Sequence, residues 1–502
     1  MVRHMTSNSD SELWKSQPWK KLRKNLFRLQ CRLWKAVRVG DRKRANNLQK
    51  LILKSRSARL LAIRQVTQLN KGKKTAGVDG KASLTFQERF DLDNLLKTQV
   101  NTWTHSKLRE IPIPKKDGTM RILKVPTMKD RAWQCIIKYS IEPAHEAIFH
   151  ERSYGFRPGR STHDVQKYLF DNLRSKSNGK DKIILEMDIE KCFDRINHNH
   201  LMSQIIAPKG AKLGLWKCLK AGVNPEFPEQ GTPQGGVCSP VLANIALHGI
   251  EAIHKSVRYA DDMVFIFKKG DNQAQVFDEI TEFLRVRGLN IKSAKTRFIS
   301  ATDGFNFLGW QFRVQKNGKF RCTPSEDNYL AFRKKVKAIV NNSNYGALVK
   351  SQKLSPIIRG WRNYHRYCKM DGSRFTLWFT RRRTWNVFNK ESKLNRYQTD
   401  ALIDKAFPAV PYSEHKHFMV KGDASPFNGN LVYWSKRQSK HYDGATAKAL
   451  KKQDHSCGHC GLKFADDEDI HLHHVDRDHD NWKSQNLLAI HQSCHQYIHM
   501  SK

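Results

Sequence analysis

The most informative part of the chain is the run Arg258-Tyr259-Ala260-Asp261-Asp262-Met263-Val264-Phe265-Ile266-Phe267. Two adjacent aspartates stand between short apolar segments, a pattern that predicts a β-hairpin with a pair of carboxylates at its turn. Neighbouring carboxylates repel each other, so the arrangement is costly unless they share a cation. Because paired aspartates also occur in ordinary turns and helix caps, a metal centre is predicted only with a second acidic site.

That second site lies upstream, in Ile183-Ile184-Leu185-Glu186-Met187-Asp188-Ile189-Glu190-Lys191-Cys192-Phe193. An apolar strand ends at Asp188, and an aromatic residue follows five positions later. Phosphoryl transfer to a primer hydroxyl uses two Mg²⁺ ions about 3.5 to 4 Å apart, held by carboxylates from different strands. Asp188 and Asp261 are predicted to hold these ions, with Asp262 beside them and closer to the primer end.

With both motifs, the chain from about Lys73 to the C-terminus resembles a group II intron-encoded protein, a reverse transcriptase with maturase and endonuclease regions. In this resemblance Asp188 matches the first metal-binding motif, and Tyr259-Ala260-Asp261-Asp262 matches the second. The resemblance also implies that the ring of Phe193 blocks a ribose 2′-hydroxyl, which favours dNTPs over ribonucleotides.

Other segments match the family in the same order along the chain. The nucleotide-binding residues that the resemblance implies are Lys115, Arg121, Ile189, Phe193, Gln234 and Lys295, with Lys292 competing for the role of Lys295. A solvated hairpin tip is the alternative for Lys115 and Arg121, and a plain loop-to-helix cap for the loop around Gln234. Residues 305–312 resemble a primer grip, and residues 77–80 and 153–158 resemble insertions that contact template and intron RNA.

Charge points to a polyanionic partner. The chain of 502 residues carries a net charge of +43, and its 39% hydrophobic content excludes a wholly disordered basic tail. Residues 1–60 hold 17 Lys and Arg against 3 Asp and Glu. Their leucine spacing predicts an amphipathic helix over residues 19–64 with a possible break at Gly40 and Asp41. We expect its cations to bind phosphate; a solvated charged face is the alternative.

Residues 331–400 repeat this excess, again with 17 basic and 3 acidic residues. They resemble the helical thumb, or maturase region, that grips intron RNA. The RNA-binding residues implied are Arg359, Arg362, Arg366, Arg381, Arg382 and Arg383. Trp361 is either a core residue or a platform on which a base stacks.

The tail has the opposite charge and different chemistry. Cys457, Cys460, His491 and Cys494 have the spacing of a tetrahedral zinc site. The tail also resembles an HNH nuclease, which implies His474 as general base, Asn486 as the residue that fixes the hairpin, and a divalent metal on His473, His495 and His499. A zinc-knuckle module that only binds DNA is the alternative.

These features predict an α+β multidomain fold: a right-hand polymerase with fingers and an antiparallel palm sheet, an α-helical thumb and a small zinc-stabilised ββα HNH domain. The expected regions are a basic helical extension (1–72), fingers and palm (73–325), thumb (326–405), a DNA-binding connector (406–453) and the endonuclease (454–502).

The expected function is to bind intron RNA and promote its splicing, nick target DNA, and copy the RNA by target-primed reverse transcription during retrohoming. A splicing factor without mobility, a polymerase of another reverse-transcriptase lineage and RNA-directed RNA synthesis stay open. The dispersed cysteines indicate a reducing compartment, either bacterial cytoplasm and nucleoid or an organelle. No signal peptide or membrane span is expected, and no oligomeric state is predicted.

Overall fold

The computed structural model describes residues 5–114, 118, 120–222, 228–391, 394–440, 442, 444–464 and 470–500. Its buried apolar side chains form three cores. The first joins the N-terminal helices to the predicted fingers and to one face of the predicted palm sheet, the second joins the other face of that sheet to the predicted thumb, and the third lies in the tail. No helix in the described ranges is both long and apolar enough to cross a bilayer.

The N-terminal region is helical, with α1 (Met5–Lys15), α2 (Trp19–Arg38), α3 (Arg42–Lys54) and α4 (Arg56–Arg64). The predicted break at Gly40 and Asp41 is confirmed, since the Asp41 carboxylate accepts a hydrogen bond from the Arg44 amide and caps α3. A second break at Ser55 was not predicted. No glycine or proline marks this second break in the sequence.

The fingers contain α5 (Phe86–Gln99), β1 (Arg109–Pro114), β2 (Met120–Val125), α6 (Met128–Glu146) and α7 (Thr162–Leu173). The predicted hairpin is present: β1 and β2 pair antiparallel, with Ile113 opposite Arg121. Lys115, predicted at its tip, lies outside the described residues.

The palm is a four-stranded antiparallel sheet in the order β4-β5-β3-β6. Its elements are β3 (Ile183–Met187), α8 (Cys192–Arg195), α9 (His198–Gln204), α10 (Lys209–Ala221), α11 (Ser239–Leu247), α12 (Ile250–Ile253), β4 (Ser256–Tyr259), β5 (Asp262–Phe267), α13 (Gln273–Arg285) and β6 (Arg297–Ser300). Alternate residues of β5 enter the two large cores: Phe265 and Phe267 the first, Val264 and Ile266 the second. A strand buried on both faces holds its terminal residues rigidly.

A three-stranded sheet leads from the palm into the thumb. It contains β7 (Phe305–Phe307), β8 (Trp310–Val314) and β9 (Phe320–Pro324), followed by α14 (Glu326–Val340), α15 (Ala347–Tyr364), α16 (Gly372–Phe375), α17 (Trp378–Glu391) and α18 (Arg396–Ala406). Trp361 is a core residue, because its ring is 8% exposed and stacks on Phe332 with ring centroids 4.5 Å apart.

The C-terminal region contains α19 (Leu431–Ser439), α20 (Gly444–Lys452), β10 (Ile470–His474), β11 (Leu487–His491) and α21 (Gln492–Met500). Strands β10 and β11 form an antiparallel hairpin, so the predicted ββα order is present. The segment between the thumb and this hairpin is fixed to the fingers by hydrogen bonds to one buried carboxylate, that of Asp164. Asp164 of α7 accepts hydrogen bonds from Arg437 (2.7 Å), His417 (3.0 Å) and the Val420 amide (2.9 Å).

Candidate active site and nucleic-acid interface

The three predicted carboxylates lie at one end of the palm sheet. Asp188 directly follows β3, Asp261 lies in the turn between β4 and β5, and Asp262 begins β5. Because Met187 of β3 pairs with Met263 of β5, the residues next to this pair are brought to the same edge. The Lys295 ammonium lies 3.3 Å from the Asp188 carboxylate. The Asp188 carbonyl also accepts a hydrogen bond from the Lys292 amide at 2.8 Å.

The electrostatics of this cluster favour bound cations. Burial, and then the neighbouring Asp261 and Asp188, raise the pKa of Asp262 to about 6. Burial also raises the pKa of Asp261, although Arg121 and Arg258 oppose the rise. Clustered carboxylate oxygens are the hard ligands that Mg²⁺ prefers. The donor set therefore fits the predicted metal ions, and the nearby Lys295 ammonium shows that the cluster attracts positive charge.

The turn that carries Asp261 is held from behind by residues for which the sequence predicted no such role. Ala260 has a φ of 61°, and the backbone of Gly155 packs so tightly against it that a Cβ at Gly155 would lie 2.2 Å from the Ala260 amide nitrogen. Arg258 donates a hydrogen bond to the Ala260 carbonyl at 2.9 Å and pairs with Glu251 at 2.6 Å. Both Arg258 and Glu251 are fully buried. The sequence offers one signal for this supporting role: a charged residue, Arg258, stands within a short strand, and that strand is buried in the structure.

Residues 153–158, which resemble an insertion that contacts template and intron RNA, pack against this same turn. In that segment Ser153, Tyr154 and Arg157 are buried, and Phe156 is 47% exposed. The Tyr154 amide donates to the Arg258 carbonyl at 2.9 Å. Most of the segment thus supports the hairpin that carries Asp261 and Asp262, and is buried.

The loop around Gln234 lies beside Phe193. The Thr232 amide donates to the Phe193 carbonyl at 2.6 Å, and the Gln234 side chain donates to Asp194 at 3.3 Å. Gly235 has a φ of +124°, and a Cβ there would come within 2.9 Å of the Lys124 carbonyl oxygen. The loop therefore needs glycine at this position to connect palm and fingers.

The remaining predicted nucleotide-binding residues differ in exposure. Arg121 is exposed on β2, and its positive charge acts to lower the pKa of Asp261. Ile189 is 4% exposed and forms a backbone bridge with Ile291, so its side chain belongs to the core. Phe193 is partly buried, with its ring centroid 6.3 Å from that of Phe156. Their nucleotide-binding roles stay predictions.

Three of the six thumb arginines are engaged in contacts within the fold, and the other three are exposed. Arg362 donates to the Pro408 carbonyl at 2.7 Å and Arg366 is 9% exposed, so both stabilise the thumb itself. Arg381 pairs with Asp404 at 2.6 Å. The exposed members are Arg359, Arg382 and Arg383. Arg383 lines a cleft of about 680 Å³ between α14 and α17, together with Arg333, Lys334, Lys337 and Arg374.

The tail brings together two sets of potential metal ligands. The ligand atoms of Cys457, Cys460, His491 and Cys494 lie within 4.8 Å of one another, and so do those of His473, His495 and His499. Burial and the neighbouring imidazoles lower the pKa of His495 to about 4, which keeps it neutral and able to ligate a metal. Both sets match the groups predicted from the sequence.

Asn486 and His474 occupy the hairpin beside the second set. The Asn486 side chain accepts from the Asp476 amide and donates to the Asn481 carbonyl, each at 2.9 Å, and thus bridges the loop between β10 and β11. His474 is 7% exposed, and its buried Nε2 has no hydrogen-bond partner in the described part of the chain. A buried, unpaired imidazole nitrogen suits a residue that acts on a ligand.

Known families match three parts of the chain. Residues 113–312 match "Reverse transcriptase (RNA-dependent DNA polymerase)", residues 14–96 match "N-terminal domain of reverse transcriptase", and residues 330–402 match "Group II intron, maturase-specific domain". The carboxylate centre and the thumb lie inside the first and third ranges.

Individual relatives agree with these matches. Maturase-like protein 1 of Euglena gracilis is 40% identical over 78% of this chain and 85% of its own length. The group II intron-encoded protein LtrA of Lactococcus lactis is 34% identical over 36% of this chain and 31% of its own length. A telomerase of Candida albicans, solved with a fragment of telomeric RNA, superposes with a TM-score of 0.32 at 12% identity and covers 62% of each chain. On the sequence matches, the chain belongs to the group II intron reverse transcriptase/maturase family.

Proposed function

We propose that the protein assists splicing of a group II intron RNA, nicks one strand of target DNA with its tail, and copies the RNA from the DNA end so produced. The observation that carries the proposal is that one chain contains both a three-carboxylate cluster in the palm and a histidine set on a ββα tail. Cutting and copying in one protein are the two chemical steps that target-primed reverse transcription needs.

In the polymerase step, Asp188 and Asp261 would hold the metal ions, with Asp262 next to them. Bound Mg²⁺ supplies the charge that activates the primer hydroxyl and stabilises the leaving pyrophosphate. Arg121 and Lys295 provide cations beside the triphosphate, and the loop of Gln234 orients the nucleotide. The Phe193 ring excludes a ribose 2′-hydroxyl, so DNA is the product.

In the nicking step, His474 accepts a proton from the attacking water. His473, His495 and His499 would hold a divalent ion, which when bound would supply positive charge next to the scissile phosphate. The support is the geometry of the hairpin: Asn486 braces the loop after His474, and the buried Nε2 of His474 has no hydrogen-bond partner among the described residues. A zinc-knuckle module without activity needs no such second set of ligands.

The set of three thiols and His491 suits a structural Zn²⁺ ion. The tail's core is small, consisting mainly of side chains such as Leu450, Phe464 and Ile490. Metal binding at such a site contributes about 10–16 kcal/mol to folding in zinc-finger peptides, which compensates for a small core. All ten cysteines are free thiols, in keeping with a reducing compartment.

Intron RNA binds mainly through phosphate contacts from the thumb and the N-terminal helices. The exposed Arg359, Arg382 and Arg383 are the thumb residues available for it. With 6 to 10 such contacts, affinity is expected to fall about 10³- to 10⁵-fold between 50 and 200 mM salt, by analogy with duplex DNA. An affinity that does not change with salt would reject this electrostatic account.

Two matched variants test the proposal on a ribonucleoprotein and a duplex DNA target. Asp261→Asn is expected to nick the target but not extend it. His474→Ala is expected to leave the intact target uncut and to extend a target that carries a preformed nick. If His474→Ala nicks the intact target at the wild-type rate, the tail is not the nuclease. If Asp261→Asn extends the nick as wild type does, the palm assignment is wrong.

A further inference from the structure

A cleft of about 500 Å³ separates the first turns of α2 from the tail, although the two are at opposite ends of the sequence. Lys20, Lys21 and Lys24 line the α2 side. His459 and Tyr497 line the tail side, and their ring centroids are 5.7 Å apart. One wall is thus basic and the other aromatic.

Specific contacts hold the two walls together. The Arg23 guanidinium donates to the Ser493 hydroxyl at 3.0 Å, and the Arg64 guanidinium donates to the Ser493 carbonyl at 3.2 Å. Arg64 also stacks on the ring of Trp19, with its guanidinium carbon 4.5 Å from the ring centroid. The cleft is therefore a built feature of the fold, with the N-terminus of α21 anchored on α2.

The charge of the cleft is of one sign. Among the described residues that line it, five are Lys or Arg and none is acidic. Lys20, Lys21 and Lys24 are exposed, and they lie on the face of α2 opposite the buried Leu22 and Leu26. Cations that track a backbone and rings on which bases stack are the two elements of a site for a nucleic-acid strand.

The cleft also adjoins the proposed nicking centre. Cys494 and Tyr497 of α21 line the cleft, and His495 and His499 of the same helix belong to the histidine set. A strand held in the cleft therefore passes within a helix diameter of that set, about 10–12 Å. The exposed thumb arginines lie in the separate helices α15 and α17, which offer RNA a different surface.

We propose that this cleft is a DNA-binding site, in which Lys20, Lys21 and Lys24 contact backbone phosphates of the target next to the cleavage point while His459 and Tyr497 contact bases or sugars. The N-terminal helix thereby helps to hold the strand that the tail nicks. The claim that the cleft holds the strand to be nicked rests on the proposed nuclease function. The claim that the cleft binds DNA does not.

The test uses the full-length protein and a matched pair of triple variants. In one, Lys20, Lys21 and Lys24 are changed to Gln; in the other, Arg28, Arg32 and Lys35 are changed to Gln. Both sets are exposed on α2 and remove the same charge, but the second set does not line the cleft. Binding of duplex target DNA and of intron RNA is measured by fluorescence anisotropy, without added divalent cation so that no cleavage occurs.

The slope of log affinity against log salt concentration becomes shallower by about 0.9 for each phosphate contact that is lost. Three lost contacts therefore change the ratio of wild-type to variant affinity by about 40-fold over a fourfold change in salt concentration. The cleft variant is expected to bind DNA more weakly than wild type at both 50 and 200 mM salt, with a ratio of wild-type to variant affinity about 40-fold larger at 50 mM than at 200 mM. The control variant is expected to change DNA affinity by less than about 3-fold. Equal losses in both variants, a loss for RNA alone, or no loss would overturn the proposal.

Nicking by the wild-type protein is measured in parallel, which separates this inference from the nuclease assignment. If the cleft variant loses DNA affinity but the wild type never nicks, the nuclease assignment fails and the DNA site stands. If the wild type nicks and the cleft variant binds DNA normally, only the DNA site fails.

Discussion

Replacing Arg258 with Met tests how the turn that carries Asp261 is held. The Arg258 side chain donates to Glu251 (2.6 Å), Ser153 (2.7 Å), Asn244 (2.9 Å) and the Ala260 carbonyl (2.9 Å). Side-chain exposure is 1% for Arg258 and 0% for Glu251. Methionine is of comparable length and apolar, so the main change is loss of the charge and its hydrogen bonds.

Removing one partner of a buried ion pair costs about 3–5 kcal/mol, because the other charge is left without compensation. We expect Arg258→Met to lower the free energy of unfolding by this amount. Burial raises the pKa of Glu251, but in the wild type the charge of Arg258, the hydrogen bonds to the carboxylate and His248 together outweigh it and hold that pKa below the ordinary value. In the variant burial, the largest influence, is opposed only by a backbone hydrogen bond and His248, so the pKa of Glu251 is expected to rise above the unfolded value of about 4.3. Because the pKa of Glu251 in the folded variant is above its unfolded value, the variant loses stability as pH rises. The decrease in the free energy of unfolding is therefore larger at pH 8 than at pH 5.

The assay is urea unfolding at both pH values, combined with primer extension. The double variant Arg258→Met/Glu251→Leu removes both charges and is expected to recover most of the stability. It is not expected to recover primer extension, because the Ala260 carbonyl still lacks its donor. An unfolding midpoint for Arg258→Met equal to that of the wild type would refute the reasoning, and so would a double variant less stable than the single one.

Three further predictions concern separate parts of the chain. Phe193→Ala is expected to raise the ratio of ribonucleotide to deoxynucleotide incorporation by at least about 10-fold, since the ring no longer excludes the 2′-hydroxyl; single-nucleotide extension measures this, and an unchanged ratio would remove Phe193 from substrate selection. Cys457→Ser is expected to release zinc and unfold the tail while extension of a primed template stays normal; metal analysis and limited proteolysis check this, and a protease-resistant tail without zinc would contradict it. His365 accepts from the Trp310 indole at Nδ1 and contacts Asn328 at Nε2, and burial, then His163, lowers its pKa to about 3. Because a lowered histidine pKa costs stability as pH falls below the unfolded value of about 6.5, the fold is expected to lose on the order of 3 kcal/mol from this residue by pH 4. His365→Gln should reduce that loss, and an identical acid profile would contradict the assignment.

The parts of the site that sequence could predict are local. An apolar strand that ends in Asp188 and a hairpin with Asp261 and Asp262 at its turn are encoded within a few residues of each carboxylate. In the tail, ligand pairs three apart and histidines four apart place their side chains together through short-range geometry alone. These are the elements whose positions in the structure match the prediction.

The parts that sequence could not predict depend on distant packing. The partners of Asp164 lie 253 to 273 residues further along the chain, and Ser153 lies 105 residues from Arg258. Helical spacing likewise places Arg359 and Arg362 on their helix, but it does not reveal that Arg362 is tied to the Pro408 carbonyl. The cleft between α2 and α21 is of the same kind, since its walls come from the two ends of the chain.

The most direct test of the central claim is extension of a DNA primer on an RNA template with Mg²⁺ and dNTPs, comparing wild type with Asp261→Asn. The neutral amide keeps the size of the side chain but removes a charge from the carboxylate cluster. The account predicts extension by the wild type and a rate at least about 10³-fold lower in the variant, equivalent to about 4 kcal/mol of transition-state stabilisation. Equal rates in the two proteins would contradict it.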